Sequence, residues 1–268
     1  MSESVTRVRA SSWGSLFDCA HRWEGTHLLG LQMPSSPRAL LGTAIHASTA
    51  AFDAARMAGA PITPDDAAGV LVDTLHTPPY DVDWTDDLTP PKAEATGLKL
   101  HTLYCQDWSP RFEFAAVELE TKPFRIDCGR GQVVELVGTM DRSRIRRGAG
   151  GIGIADLKTG ATAVAKGLAK TKGHAAQVGT YELLFEHTTG ETITAPAEIV
   201  GMKTKGTPEI AVAEIRNARD VMVGTDQFPG LIEIGAEMLR TGLFPPNPQS
   251  MMCHQRYCAR WSTCPYHE

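Results

Sequence analysis

Apolar positions recur at helical spacing through residues 39–58, where Leu41, Ile45, Phe52 and Ala55 fall near one face among alanines and no proline intervenes. That spacing predicts a long helix ending at Gly59-Ala60-Pro61. Residues 11–109 as a whole read as mainly helical, with the acidic, proline-rich stretch 61–91 as a short helix within exposed loops. From 112 to 158 the period changes. Short runs of Val, Ile and Phe, divided by glycines, lie at 114–120, 124–128, 132–137, 141–146 and 153–158 and predict hairpins and a sheet. A helix is expected at 175–187, strands at 198–203 and 209–214, and a helix at 230–241. Strands mixed with flanking helices imply a layered α/β or α+β core.

Composition narrows the class without naming a function. The 268 residues are 42% hydrophobic and contain no run near the ~18 apolar residues a membrane helix needs. The first ten residues carry charges of both signs and no apolar core, so a cytoplasmic address without a signal peptide is expected. The net charge of -5 is a cancellation: residues 61–94 hold eight acids and one base, whereas 142–172 hold eight bases and one acid, Asp156. The basic stretch reads either as a solvated charged face or as a local surface for a polyanion. Of six cysteines, Cys253, Cys258 and Cys264 crowd the last sixteen residues and Cys19 lies near the start. In a reducing compartment, clustered thiols bind metal more often than they form disulfides.

The chemistry-bearing residues are Gly138-Thr139-Met140-Asp141, Asp156-Leu157-Lys158-Thr159-Gly160, and Gln177 with Tyr181. Side chains alternate across a strand, so Asp156 and Lys158 share one face. Asp141, on the preceding strand, can place a second carboxylate beside Asp156. Two adjacent carboxylates repel, and a divalent cation removes that penalty by taking oxygens from both. Such a cation polarises a phosphate oxygen and acidifies a bound water, while Lys158 stabilises the added negative charge. His46, four residues after Gly42 on the long helix, offers an imidazole nitrogen. Taken singly, each has a structural explanation: Asp156 and Lys158 an exposed ion pair, His46 a helix histidine, Gln177 and Tyr181 an i,i+4 hydrogen-bonding pair.

As an ordered set they resemble the RecB-like branch of the PD-(D/E)XK nucleases, including the Cas4-like and AddB-type iron-sulfur nucleases and their phage relatives. That family's order is a helical His, a Gly-x-x-Asp, an Asp-x-Lys often followed by Thr-Gly, and a Gln-x-x-x-Tyr. The resemblance spans nearly the whole chain. It implies that His46, Asp141 and Asp156, joined by the backbone carbonyl of Leu157, bind catalytic Mg2+ or Mn2+. Lys158 is then the catalytic lysine, and Gln177 and Tyr181 orient the site and contact DNA. Glu118 is a further active-site candidate on an earlier strand.

The same resemblance implies that Cys19, Cys253, Cys258 and Cys264 hold a 4Fe-4S cluster joining the chain ends. The spacing Cys253-x4-Cys258-x5-Cys264 departs from the commoner Cys-x2-Cys-x5-Cys. Four thiolates also suit structural zinc, with His254 or His267 able to replace one. Either metal closes a long loop and fixes the N-terminal helices against the core.

The expected fold is α/β: a restriction-endonuclease-like core with a central mixed sheet flanked by helices, an N-terminal helical region and a cysteine-rich metal-binding tail. It forms one nuclease domain over 1–268, comprising a helical part at 1–110, a core at 111–245 and the tail at 246–268. The expected function is a metal-dependent deoxyribonuclease, an exonuclease on single-stranded DNA or DNA ends, in recombination, repair or related processing. Two other readings remain open: a non-catalytic DNA-binding or assembly subunit, and a nuclease active only within a larger complex. Arg142, Arg144, Arg146, Arg147, Lys166, Lys170 and Lys172 are expected to track phosphates. Trp13, Trp23, Tyr104 and Trp108 are expected either to stack on bases or to pack in the core. Expected partners are DNA and recombination or helicase proteins, with no membrane. No Gly-x4-Gly-Lys-Ser/Thr phosphate loop is present in these 268 residues, so any ATP-driven unwinding must come from elsewhere.

Overall fold

The structure is a computed structural model and describes residues 3–85, 87–146 and 150–267. The chain opens with strand β1 (Ser4–Arg9) and continues through helices α1 (Trp13–Asp18), α2 (Ala20–His27), α3 (Pro37–Met57), α4 (Pro64–His76) and α5 (Pro90–Leu103). Strands β2 (Glu113–Glu120), β3 (Phe124–Asp127), β4 (Gln132–Val137), β5 (Thr139–Ile145) and β6 (Ile152–Gly160) follow, then a small hairpin of β7 (Val164–Ala165) and β8 (Leu168–Ala169). Next come α6 (Ala175–Thr189), β9 (Ala197–Lys203), β10 (Glu209–Ile215), α7 (Ala218–Val223), a second small hairpin of β11 (Gly224–Thr225) and β12 (Phe228–Pro229), and α8 (Leu231–Thr241). The cysteine-bearing tail is built mainly of turns.

The central sheet has the order β10-β9-β6-β5-β2, with β6 parallel to β9 and the other neighbours antiparallel. A second sheet, β1-β4-β3, pairs β1 in parallel with β4. This is the expected mixed α/β core. Helix layers cover both faces, so β6 and β9 are buried along most of their length rather than alternating between buried and exposed positions. Ile154, Ile199 and Tyr181 belong to one apolar cluster, shared with α1, α2, α6 and α8. Leu157, Val200 and Met202 belong to the other, shared with α3, α4 and α5. Strand β6, which carries the Asp-x-Lys motif, is thereby held between two cores.

Local chemistry sets the element ends. Helix α3 starts with Pro37 in its first turn and Ser36 accepting the Ala39 N–H at 3.1 Å. Helix α4 carries a full capping box, with Thr63 and Asp66 satisfying each other's backbone N–H groups. The acidic stretch therefore differs from the expectation of a short helix in exposed loops. Ala67, Leu71 and Leu75 make α4 a core element, and its acids lie on the other faces. Strand β1 is also beyond what the pattern predicts, because among its residues only Val8 is buried. Trp13, Trp23 and Tyr104 are fully buried and take the core role rather than base stacking. Trp108 is half-buried under the Arg111 guanidinium.

Candidate active site

The site forms where two neighbouring strands part. Pairing of β5 with β6 runs from Ile145↔Ile152 to Arg142↔Ala155 and goes no further. One residue beyond, the Asp141 carboxylate replaces the ladder: its Oδ2 accepts the Leu157 N–H at 2.8 Å, so that buried donor keeps a partner. Asp141 Oδ1 lies 3.4 Å from His46 Nδ1 on α3. Asp156, buried on β6, forms an ion pair with Lys158 two residues on. Gln177 on α6 donates through Nε2 to Asp156 Oδ1 at 3.3 Å and to the Tyr181 hydroxyl at 3.4 Å. Residues from four elements thus meet at one place.

Glycines make these approaches possible. A Cβ on Gly42 would sit 2.6 Å from Thr159 Oγ1, so α3 lies directly on the strand that follows Lys158. A Cβ on Gly138 would meet the Tyr181 ring at 2.9 Å, which explains the glycine three residues before Asp141. Glu118 on β2 adopts φ of 47°, a left-handed conformation that costs energy for a non-glycine residue and is found mainly where function or packing enforces it. Together with Arg38, Gly42, His46 and Thr159, Glu118 lines an open cleft of about 590 Å³ beside the site. A larger cavity of about 730 Å³ against α8 contains none of these residues.

Burial and mutual charge split the two carboxylates. Asp156 is pushed up to about 6, first by burial and then by the charge of Asp141, against the pull of Lys158. Burial acts on Asp141 in the same direction, but His46, Lys158 and Arg142 together hold it well below the usual range. His46 stays more basic than an ordinary imidazole because the Asp141 carboxylate outweighs its burial.

These residues fit a divalent cation on one direct observation: the buried Asp156 Oδ2 is held by the Lys158 ammonium, a positive charge standing where two neighbouring carboxylates, Asp141 and Asp156, face one site. Among the described residues, no three His, Cys, Asp or Glu side chains stand together as a finished metal cage. At Asp156 and Asp141 the contacts show why, since Lys158 covers the one and the Leu157 N–H occupies Oδ2 of the other, and the four cysteines do not form such a cage either. The model of the PD-(D/E)XK nuclease superfamily matches residues 8–265. The chain belongs to that superfamily.

Members of this superfamily typically use divalent metal ions. A solved structure with the same fold is the crystal structure of a "Putative exonuclease" from Eubacterium rectale, with a TM-score of 0.56 and 12% identity. The match covers 91% of this chain and 86% of that one. No curated relative matches the sequence.

Other predicted residues divide. Cys19, Cys253, Cys258 and Cys264 line one small cavity of about 20 Å³ with His21, Asn247 and Tyr266. The Asn247 N–H donates to Cys19 Sγ at 3.4 Å. Burial and the three other sulfurs raise Cys253 above an ordinary thiol. Arg260 of the tail reaches onto Gly25, where a Cβ would lie 2.8 Å from its Nε, and pairs with Glu24 at 2.7 Å.

The arginines expected to track phosphates do not face outward. Arg142 is buried against Asp53, and Arg144 pairs with Glu198 and lies over the Phe112 ring. Arg146 is paired with both Glu198 and Glu214. Each of these guanidinium groups satisfies carboxylates supplied by distant segments, which local charge counting cannot reveal. Arg147 lies outside the described residues. Lys166, Lys170 and Lys172 are exposed, as a phosphate-tracking role requires. Sequence reasoning missed Asp53, buried on α3 and joined to the site through Arg142. Its only signal was a charged residue on the apolar face of that helix.

Proposed function

We propose that this protein is a Mg2+- or Mn2+-dependent deoxyribonuclease acting on single strands or DNA ends, within one domain over 1–268. The observation that carries this reading is the meeting of His46, Asp141, Asp156 and Lys158, with the buried Asp156 carboxylate paired to the Lys158 ammonium. His46, Asp141, Asp156 and the Leu157 carbonyl would hold the cation. When bound, a cation of this kind polarises a phosphate oxygen and lowers the pKa of a coordinated water. The Lys158 ammonium, beside Asp156, would stabilise the negative charge that develops on the phosphoryl oxygens. Gln177 keeps Asp156 oriented, and Tyr181 steadies Gln177. Lys166, Lys170 and Lys172 offer exposed charge to the sugar-phosphate backbone.

The four cysteines are read as ligands of a 4Fe-4S cluster or of structural zinc, and their shared cavity supports that reading. Recombination or helicase proteins are natural partners for an end-processing nuclease that lacks a phosphate loop.

The test is cleavage of end-labelled linear DNA with and without Mn2+ by the native protein, Asp156→Ala and Lys158→Ala. Metal-dependent shortening by the native protein and its loss in both variants are expected. Cleavage that persists in both variants would show a contaminant at work and end the assignment. Binding of DNA without cleavage under any divalent metal would favour a non-catalytic role. Anaerobic purification addresses the tail, where a colourless protein with one zinc per chain would exclude the iron-sulfur cluster.

A further inference from the structure

Behind the site lies a polar hub in an otherwise apolar layer. Asp53 is completely buried on α3 and accepts from Arg142 Nε at 2.7 Å, the Tyr104 hydroxyl at 2.7 Å and the Ser109 hydroxyl. Arg56 closes the far side by donating to Ser109. The rest of the Arg142 guanidinium points back toward the site. Nη1 donates to the Asp141 main-chain carbonyl at 2.7 Å and to the Glu118 carboxylate at 3.0 Å, and Nη2 reaches Thr49 Oγ1 at 3.4 Å. The Thr49 hydroxyl donates to the Ile45 carbonyl at 2.8 Å, with the His46 carbonyl 3.1 Å away.

One planar group therefore ties together the three elements that carry His46, Glu118 and Asp141. Stability alone does not call for this arrangement, because buried ion pairs can often be replaced by well-packed apolar residues with little loss or even a gain. What apolar packing lacks is direction. Five N–H donors in a rigid fork fix the angles between neighbours, and no ammonium can copy them.

We propose that Asp53 and Arg142 are positioning residues that set the spacing of His46, Asp141 and Glu118 for the cation. Tyr104 and Ser109 hold Asp53 in turn. This inference rests on the metal-nuclease reading and adds a group of residues that do not themselves touch metal or DNA. Residues that orient metal ligands from behind typically change affinity 10- to 100-fold when lost.

The experiment is a calorimetric Mn2+ titration of the full chain without DNA, paired with thermal unfolding and with the Mn2+ concentration giving half-maximal cleavage. The double variant Asp53→Leu/Arg142→Met removes both members of the buried pair, and Glu118, the other carboxylate on Arg142, is exposed enough to be solvated in its absence. It should unfold cooperatively yet bind Mn2+ roughly 10- to 100-fold more weakly, with half-maximal cleavage shifted in parallel. Tyr104→Phe keeps the ring and removes one donor to Asp53, and should weaken Mn2+ by about the lower end of that range. Arg142→Lys restores charge without the fork and should not rescue binding. If the double variant does not fold, Tyr104→Phe decides the matter by the same readout. A folded variant that binds Mn2+ like the native protein would reduce the hub to a structural element and overturn the proposal. Absence of Mn2+ binding in the native protein would remove the metal reading itself, together with this inference.

Discussion

Arg142, Arg144 and Arg146 on β5 and just beyond it aim their guanidinium groups at carboxylates, whereas Lys166, Lys170 and Lys172, around the β7–β8 hairpin, stand exposed with no ion pair among the described residues. Both groups belong to one basic stretch of sequence. The difference follows from what each backbone segment does. Strand β5 lies inside the central sheet, where a cation must be paired to be tolerated. The hairpin turns at Lys166 and Gly167, both at positive φ as a two-residue turn of this kind needs. Its base rests on Gly201, where a Cβ would lie 2.5 Å from the Ala163 carbonyl oxygen. Its tip is left in solvent. Charge on the sheet organises the protein, and charge on the hairpin is free to meet a ligand.

Substitutions can break this contrast, and the largest effect belongs to Arg142. Arg142→Ala leaves Asp53 buried without its cation and should cost about 3–5 kcal/mol in urea unfolding. A cost below about 1 kcal/mol would mean that Asp53 takes up a proton at little expense. Arg144→Ala removes a largely buried pair with Glu198 and a ring contact, and should cost roughly 2 kcal/mol by the same measurement. The triple change of Lys166, Lys170 and Lys172 to alanine should alter stability by no more than about 0.5 kcal/mol. It should instead flatten the salt dependence of single-strand binding by about 0.7 for each phosphate no longer neutralised, or roughly 2 in all. An unchanged slope would remove the hairpin from the DNA path.

The smallest effect concerns His174, pushed down to about 4 by burial and by the ammonium groups of Lys158 and Lys170. Lys170→Met removes a positive neighbour, which favours the charged imidazole, so the His174 midpoint should rise when followed by NMR. A midpoint that stays put would place Lys170 too far away to matter.

The helices and strands with their own periodic pattern were legible in advance. Residues 39–58, 132–137 and 153–158 sit within or beside α3, β4 and β6 because their apolar spacing is local. Helix α4 was obscured by its acids and prolines, although Thr63-Pro64 and Asp66 are a readable helix start. The ordered motifs singled out His46, Asp141, Asp156 and Lys158, and the geometry brings them together. The Arg142–Asp53 pair was not readable, since its members lie 89 residues apart and nothing in either neighbourhood names the other. A charge written in sequence carries no statement about whether water or a carboxylate will face it.

Strand β1 has a consequence for how the molecule is made. Its Arg7 meets Glu135 across 128 residues, and its parallel partner is β4. This strand is synthesised well before its partner and must therefore wait, unpaired, until β4 has emerged. Closing so long a loop is slow compared with forming local helices. During synthesis α1 to α5 can form while the second sheet still lacks its middle strand, so a pause in translation before β4 would expose a half-built protein to aggregation.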